Sequence, residues 1–163
     1  MIENDIIILN VLDDSRDEFI SGIDDEELCH MYGIRYPVEG DRLFNRFSGI
    51  SDAFGVFRKI DGILVGFVLS VEPEIPEKYA DVLPANGRTL AYATFPQYQR
   101  RGYMHGALRA LIDHLFANGI DFIHCGRFDF NDKSAALLDK LGFKTIGAHQ
   151  FKEKTIIDEI LIR

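Results

Sequence analysis

The segment PQYQRRGYMHGAL, Pro96 to Leu108, sets the chain's one Arg-Arg pair between Gln99 and Gly102, directly ahead of a helical apolar pattern. The first turn of a helix has four backbone N–H groups without intrahelical acceptors. Its aligned peptide dipoles add about half a positive charge at the same end. Together these features bind anions, phosphate above all. Gly102 removes a side chain where a bulky anion would approach the backbone. Gln99 can donate from its amide, and Arg100 and Arg101 add charge beside the loop. The spacing matches neither G-x-G-x-x-G nor a Gly-Lys-Ser/Thr loop, so it is not a dinucleotide fingerprint or a nucleotide P-loop. Taken alone, such a turn can equally be a solvated basic loop closed by a turn glycine.

A second stretch, NDKSAALLDKLGF from Asn131 to Phe143, begins with two N-cap candidates, Asn131 and Asp132, and ends on Gly142 as a left-handed stop. Other groups able to hold or move a proton are scattered. They are Tyr92 on the strand before the basic turn, Glu72 and Glu74 beyond a hairpin, His124 on a strand, and His149 near the end. Each has an ordinary structural reading beside the chemical one. The two glutamates can equally bind a cation or solvate a loop, and His105 and His114 read as helix-surface residues. No histidines stand at HxxxH spacing or beside a cysteine, so no metal site is expected.

The elements that must position these residues read as follows. DIIILNVL is a first strand, and SRDEFISGI and DDEELCHMYGI are short helices with Ser15 and Asp24 or Asp25 as N-caps. DRLFNRFSGI is a further helical turn. FGVFRKIDGILVGFVLSV is a hairpin, with Asp61-Gly62 predicting a type I′ turn in which both residues take positive φ. Glu72 to Gly87 holds three of the five prolines and reads as a long loop, a length often tied to function. RTLAYATF is a strand. Leu108, Leu111, Ile112, Leu115 and Phe116 form the apolar stripe of a helix that Asn118-Gly119 stops. IDFIHCGRF is a buried strand, and KTIGAHQFKEKTIIDEILIR closes the chain as two more. The order β-α-α-β-β-β-α-β-α-β-β predicts a mixed α/β fold in which an antiparallel hairpin feeds a βαβ crossover.

The chain's 163 residues suit one domain, residues 1–163, with 47% hydrophobic residues and no repeat or linker. A net charge of −8 argues against a nucleic-acid surface. Cys29 and Cys125 make no CxxC pair, which predicts an intracellular chain without a disulfide scaffold. ILVGFVL is too short to span a bilayer, and the acidic N-terminus lacks the basic start of a signal peptide. A cytoplasmic location without membrane association is therefore expected.

Gln99-Arg100-Arg101-Gly102-Tyr103-Met104, preceded by YATFP, resembles the acyl-CoA-binding motif of the GNAT N-acetyltransferase superfamily, Gln/Arg-x-x-Gly-x-Gly/Ala after a strand and a Pro. NDKSAALLDKLGF resembles that family's Asn-x-x-Ser/Ala-x-x-Leu-x-x-x-Gly-Phe helix, one strand later. The pattern is most similar to the ribosomal-protein N-terminal acetyltransferases and their small-molecule relatives. The resemblance implies a central mixed, mostly antiparallel twisted sheet of about seven strands flanked by helices. It also implies acetyl-CoA as cosubstrate, no metal, and transfer to a primary amine by direct attack in a ternary complex. The acceptor would be a small-molecule amine or a protein N-terminus, and the chain a monomer or homodimer.

Carried over by residue, the resemblance gives the backbone amides of Arg100, Arg101, Gly102, Tyr103, Met104 and His105 to the pyrophosphate. Thr94 and Phe95 would serve the pantetheine arm and thioester carbonyl. Asn131 would bond the pantetheine, Ser134 would lie near the sulfur, and Lys133 or Lys140 would reach the adenosine phosphates. Two positions depart from the pattern. Met104 stands where Gly or Ala is usual, and Leu138 stands where many members carry the Tyr that protonates the leaving thiolate. Ser134 and Tyr92 are the replacement candidates for that proton, and Glu72, Glu74, His124 and His149 are the candidate bases. A silent acyl-CoA-binding module and a purely structural domain stay open as alternatives.

Overall fold

The computed structural model describes residues 1–163. Its strands are β1 (Ile2–Glu3), β2 (Ile7–Val11), β3 (Ala53–Arg58), β4 (Leu64–Val71), β5 (Gly87–Thr94), β6 (Phe122–Phe128), β7 (Lys144–Phe151) and β8 (Lys154–Ile162). Its helices are α1 (Arg16–Ile23), α2 (Glu26–Tyr32), α3 (Gly40–Ser48), α4 (Tyr103–Ala117) and α5 (Asp132–Lys140). The sheet order is β1-β2-β3-β4-β5-β6-β8-β7, a mixed and mostly antiparallel arrangement in which β5 and β6 run parallel. The chain forms two compact units. One comprises residues 1–69 and 92–111, and the other comprises residues 70–91 and 112–163.

The first unit is built around phenylalanines. Phe19 of α1 lies 5.5 to 6.3 Å from the rings of Phe44, Phe47, Phe67 and Phe95, and all five are buried. Tilted and edge-on aromatic pairs of this kind add about 0.5–1.5 kcal/mol each beyond their buried area. Gly22 of α1 is part of the fit, because a Cβ there would sit 2.4 Å from the Phe95 ring. Asp25 caps α2 by accepting from the Leu28 amide, while Ser15 precedes α1 without a side-chain cap bond.

DIIILNVL lies over β2 as expected, and a short β1 precedes it, where Asn4 Oδ1 accepts from the amides of Ile6 and Ile7 and folds the chain into an Asx turn between β1 and β2. One sequence expectation changes in this unit. The β3–β4 turn is not type I′. Only Gly62 is left-handed, at φ 70°, and Arg58 and Ile63 form the closing backbone bond. The connection is therefore longer than a two-residue turn, and the Arg58 guanidinium holds the Asp61 carboxylate.

In the second unit β6 pairs with β8 along its whole length, and β7 adds to the other side of β8. The β5–β6 register runs from Gly87↔Phe122 to Thr89↔His124 and stops there. Just beyond it the Leu90 amide donates to the Cys125 sulfur, which burial otherwise pushes well above its ordinary pKa. Helix α5 is capped by Asn131, whose Oδ1 accepts from the Ser134 amide at 3.1 Å. It ends in a Schellman motif: Phe143 N–H bonds Leu138 O, Gly142 N–H bonds Asp139 O, and Gly142 is left-handed at φ 91°. The long loop after β4 carries a 3₁₀ turn at Glu77–Tyr79, and Tyr79 is its buried side chain.

Candidate functional site

In the first unit, β5 ends against β4, where Phe95 N–H bonds Val65 O at 2.9 Å and the Phe95 ring enters the core. Pro96–Tyr98 then form a 3₁₀ turn. Gln99 turns its amide back onto the Thr94 carbonyl, Nε2 donating at 3.1 Å and securing the turn with one of its two hydrogens. Arg100 takes φ 62° and Gly102 φ 79°, both left-handed. A left-handed conformation costs a residue with a Cβ about 1–2 kcal/mol. Arg100 stores such strain in the turn that the sequence marks for anion binding, as backbone outliers at functional sites do.

Left-handed residues alternating with ordinary ones aim successive amides into a concavity suited to anions. Gly102 O accepts from Gly106 N–H at 3.1 Å and so opens α4. The amides of Tyr103, Met104 and His105 follow it as first-turn donors without intrahelical acceptors. A Cβ on Gly102 would meet no protein atom within 4 Å. Its absence keeps open the space before the helix and meets a backbone need, with no packing need. Arg100 and Arg101 are exposed, whereas Met104 is buried with its bulk turned into the protein. His105 is half-buried.

Also in this unit, a cavity of about 340 Å³ opens beside Phe95 and Tyr98 and is lined by Glu18, Asp24 and Asp25 from α1 and the turn after it. Tyr92 is buried, with its ring 6.4 Å from that of Tyr32 at the end of α2.

The second unit holds the other sequence candidates. Asn131 and Ser134 are both buried at the head of α5, 2% and 3% exposed. Leu138 is wholly buried, so that position is a core residue. Lys133 and Lys140 are exposed. Glu72 is 90% exposed and pairs with Arg88 Nη1 at 2.9 Å.

The two histidine candidates converge on a residue that the sequence reading passed over, Asp158. His124 Nε2 donates to Asp158 Oδ1 at 2.9 Å, and His149 Nδ1 bonds Oδ2 at 2.8 Å. The Tyr79 hydroxyl donates to Oδ2 at 3.1 Å. Thr89 closes the chain: its hydroxyl meets His124 Nδ1 at 3.0 Å, and its oxygen accepts from the Glu74 amide at 2.8 Å. Asp158 is fully buried and His124 nearly so. Burial pulls the His124 pKa down despite the opposing pull of Asp158. His124 is therefore the neutral tautomer, donating through Nε2 and accepting the Thr89 proton at Nδ1, and both ring nitrogens are engaged. His149 is the more accessible of the two, its side chain 27% exposed, and it bonds Asp158 through Nδ1. No group of three or more His, Cys, Asp or Glu side chains is arranged to hold a metal ion. No helix is long and apolar enough to cross a membrane.

A family model described as Acetyltransferase (GNAT) family matches residues 22–143. No curated protein matches the chain in sequence. Among solved structures, a GNAT-family acetyltransferase from Bacillus anthracis superposes with a TM-score of 0.80 at 15% identity, covering 99% of this chain and 97% of its own. The ribosomal-protein-S5-alanine acetyltransferase of Vibrio fischeri gives 0.71 at 21% identity, covering 96% and 91%. The aminoglycoside acetyltransferase AAC(6')-Ib, solved with coenzyme A, gives 0.74 at 12% identity, covering 96% and 95%. These likenesses establish the fold.

Proposed function

Because the chain belongs to the acetyltransferase (GNAT) family, we propose that it moves the acetyl group of acetyl-CoA to a primary amine by direct attack in a ternary complex. The observation that carries this reading is the turn at Gln99–Gly102, where left-handed Arg100 and Gly102 shape the backbone ahead of α4. The amides from Arg100 to His105 hold the pyrophosphate, and Arg100 and Arg101 supply charge. Thr94 and Phe95 serve the arm, and Asn131 bonds the pantetheine while capping α5. Lys140 reaches the adenosine phosphates. That a solved structure of this fold contains coenzyme A supports the assignment.

The acceptor must lose a proton before it attacks, since an alkylammonium titrates near 10.4 and an α-amine near 8. The departing thiolate benefits from a hydrogen bond or proton. Ser134 and Tyr92 are the donors we assign to the sulfur in place of the family's tyrosine. Among the bases, Glu72 is drawn to Arg88 and His124 has both nitrogens engaged. Glu74 and His149 remain as the candidate bases, His149 oriented through Nδ1. The carboxylates of Glu18, Asp24 and Asp25 at the cavity favour a cationic acceptor. The proposed setting is the cytoplasm.

One observation favours a second reading, a silent acyl-CoA-binding module: Leu138 is fully buried where many members carry their acid. A single experiment separates the two. Acetyl-CoA is titrated calorimetrically, and free thiol release is then followed over a panel of polyamines, aminoglycosides, amino acids and peptide N-termini. Turnover on an amine supports the transferase. Saturable binding without turnover on any amine supports the silent module, and no binding refutes both.

A further inference from the structure

Arg58, the last residue of β3, lies against the basic turn from outside the motif. Its Nε and Nη2 grip the Asp61 carboxylate at 3.0 and 2.5 Å. Its Nη1 donates to the Tyr103 hydroxyl at 3.4 Å. The guanidinium carbon lies 5.6 Å from the centre of the Tyr98 ring and 6.0 Å from that of Tyr103. The side chain is only 19% exposed, an unusual degree of cover for an arginine at a hairpin.

Tyr98 closes the 3₁₀ turn that enters Gln99–Gly102, and Tyr103 is the first residue of α4 that leaves it. One guanidinium thus touches both ends of the strained turn. Its carbon lies within about 6 Å of two ring centres while its nitrogens meet a carboxylate and a phenol, a set of contacts that a lysine ammonium cannot reproduce. Asp61 in turn holds the fork in place, and its own carboxyl is kept below the ordinary range by Arg58. The Tyr103 phenol is likewise lowered, by Arg58 first and Arg101 second.

A cradle for a diphosphate is useful only if its amides already point inward before the ligand arrives, because ordering a loose loop on binding weakens affinity. The left-handed Arg100 is the residue whose conformation needs outside support. We propose that Arg58 is a positioning residue for the diphosphate cradle, holding Tyr98 and Tyr103 so that the turn at Gln99–Gly102 stays in its binding shape. This rests on the reading of the turn given above. Asp61 serves Arg58, and the hairpin that carries both belongs functionally to the donor site.

The test measures the dissociation constants of coenzyme A and of pantetheine, which has the arm and thiol but no diphosphate, for the wild type, Arg58→Met and Arg58→Lys. Wild type should prefer coenzyme A. Arg58→Met should weaken coenzyme A about tenfold, equivalent to about 1.4 kcal/mol, and leave pantetheine unchanged. Arg58→Lys should resemble Arg58→Met, since the planar fork is lost while the charge is kept. Recovery of wild-type affinity in Arg58→Lys would make the effect one of charge and overturn positioning. Equal weakening of both ligands would reduce Arg58 to general scaffolding. Unchanged affinity for both would remove it from the site. If Arg58→Met does not fold, Tyr103→Phe removes the phenol's contacts with Arg58 and Arg101 while keeping the ring, and should shift the same ratio in the same direction by a smaller factor. A wild type without preference for coenzyme A would refute the cradle itself, an outcome distinct from a failure of Arg58 alone.

Discussion

Replacing His124 should change how stability responds to pH more than it changes stability at pH 7.5. In the folded protein, Nδ1 accepts the Thr89 hydroxyl proton and Nε2 donates to Asp158. A second proton would have to enter at Nδ1, where it would face a hydroxyl whose oxygen already accepts from the Glu74 amide. Burial, the largest influence, also disfavours the charged ring, and the folded pKa is lowered. The unfolded chain titrates His124 near 6.5. Below about pH 6.5 the unfolded state therefore binds a proton that the folded state refuses. Stability is full above that pH and falls as the pH drops toward the lowered folded value, at up to about 1.4 kcal/mol per pH unit for one proton. Urea unfolding at half-unit steps from pH 7.5 to 5.5 measures the slope. His124→Gln keeps an amide able to donate to Asp158 but does not titrate, so its slope should be shallower by up to that amount below pH 6.5. Comparing the two proteins cancels the other titrating groups they share. Identical slopes would refute the assignment of a neutral, engaged His124.

Further outcomes are expected at four positions. Gly102→Glu should abolish coenzyme A binding by placing charge and bulk at the helix mouth. Gly102→Ala, which carries the strain of φ 79° without the charge, should cost about 1–2 kcal/mol in an unfolding titration and bind more weakly but measurably. Ser134→Ala should lower turnover more than donor affinity if its hydroxyl helps the thiolate leave; equal losses in steady-state and binding constants would make it a binding residue only. Asp158→Ala should destabilise by about 3–5 kcal/mol, because it leaves buried donors from His124 and Tyr79 unanswered. Tyr79→Phe should cost only about 1 kcal/mol, because His149 still occupies the same oxygen, and denaturant midpoints distinguish the two.

The elements with local signals were legible in the sequence. The helix stops at Asn118-Gly119 and Gly142 lie where left-handed glycines end α4 and α5, and Asn131 caps as its residue type predicts. What failed locally failed because a side chain intervened in the backbone. Asp61-Gly62 reads as a two-residue turn only if both take positive φ, but Gly62 alone does, and the Asp61 carboxylate holds both the Arg58 guanidinium and the Ile63 amide. DIIILNVL reads as one element and is β2, but the two-residue β1 before it went unassigned, set apart by Asn4, whose side chain captures two amides. Helix α3 was seen as a single turn because its burial rests on Phe44 and Phe47, a pair too short to show a period.

The shape of the basic turn was legible because Gly102 and the strand-to-helix change announce it. The histidine cluster was not, since its members are joined only through strand register. Asp158 looks like a stray acid in KTIIDEILI. Its neighbours in the sheet are Gly126 on β6 and Gly147 on β7, so no side chain stands on either side of it. A Cβ on Gly147 would sit 2.2 Å from the Tyr79 hydroxyl. Gly147 thus clears the lateral space through which Tyr79 reaches the carboxylate that His124 and His149 share. Isolated glycines inside strands are the signal that was present, since they mark close approach by another group. An acid flanked across the sheet by two such glycines is read most economically as a buried acceptor, and it is this acceptor that fixes Nδ1 of the candidate base His149.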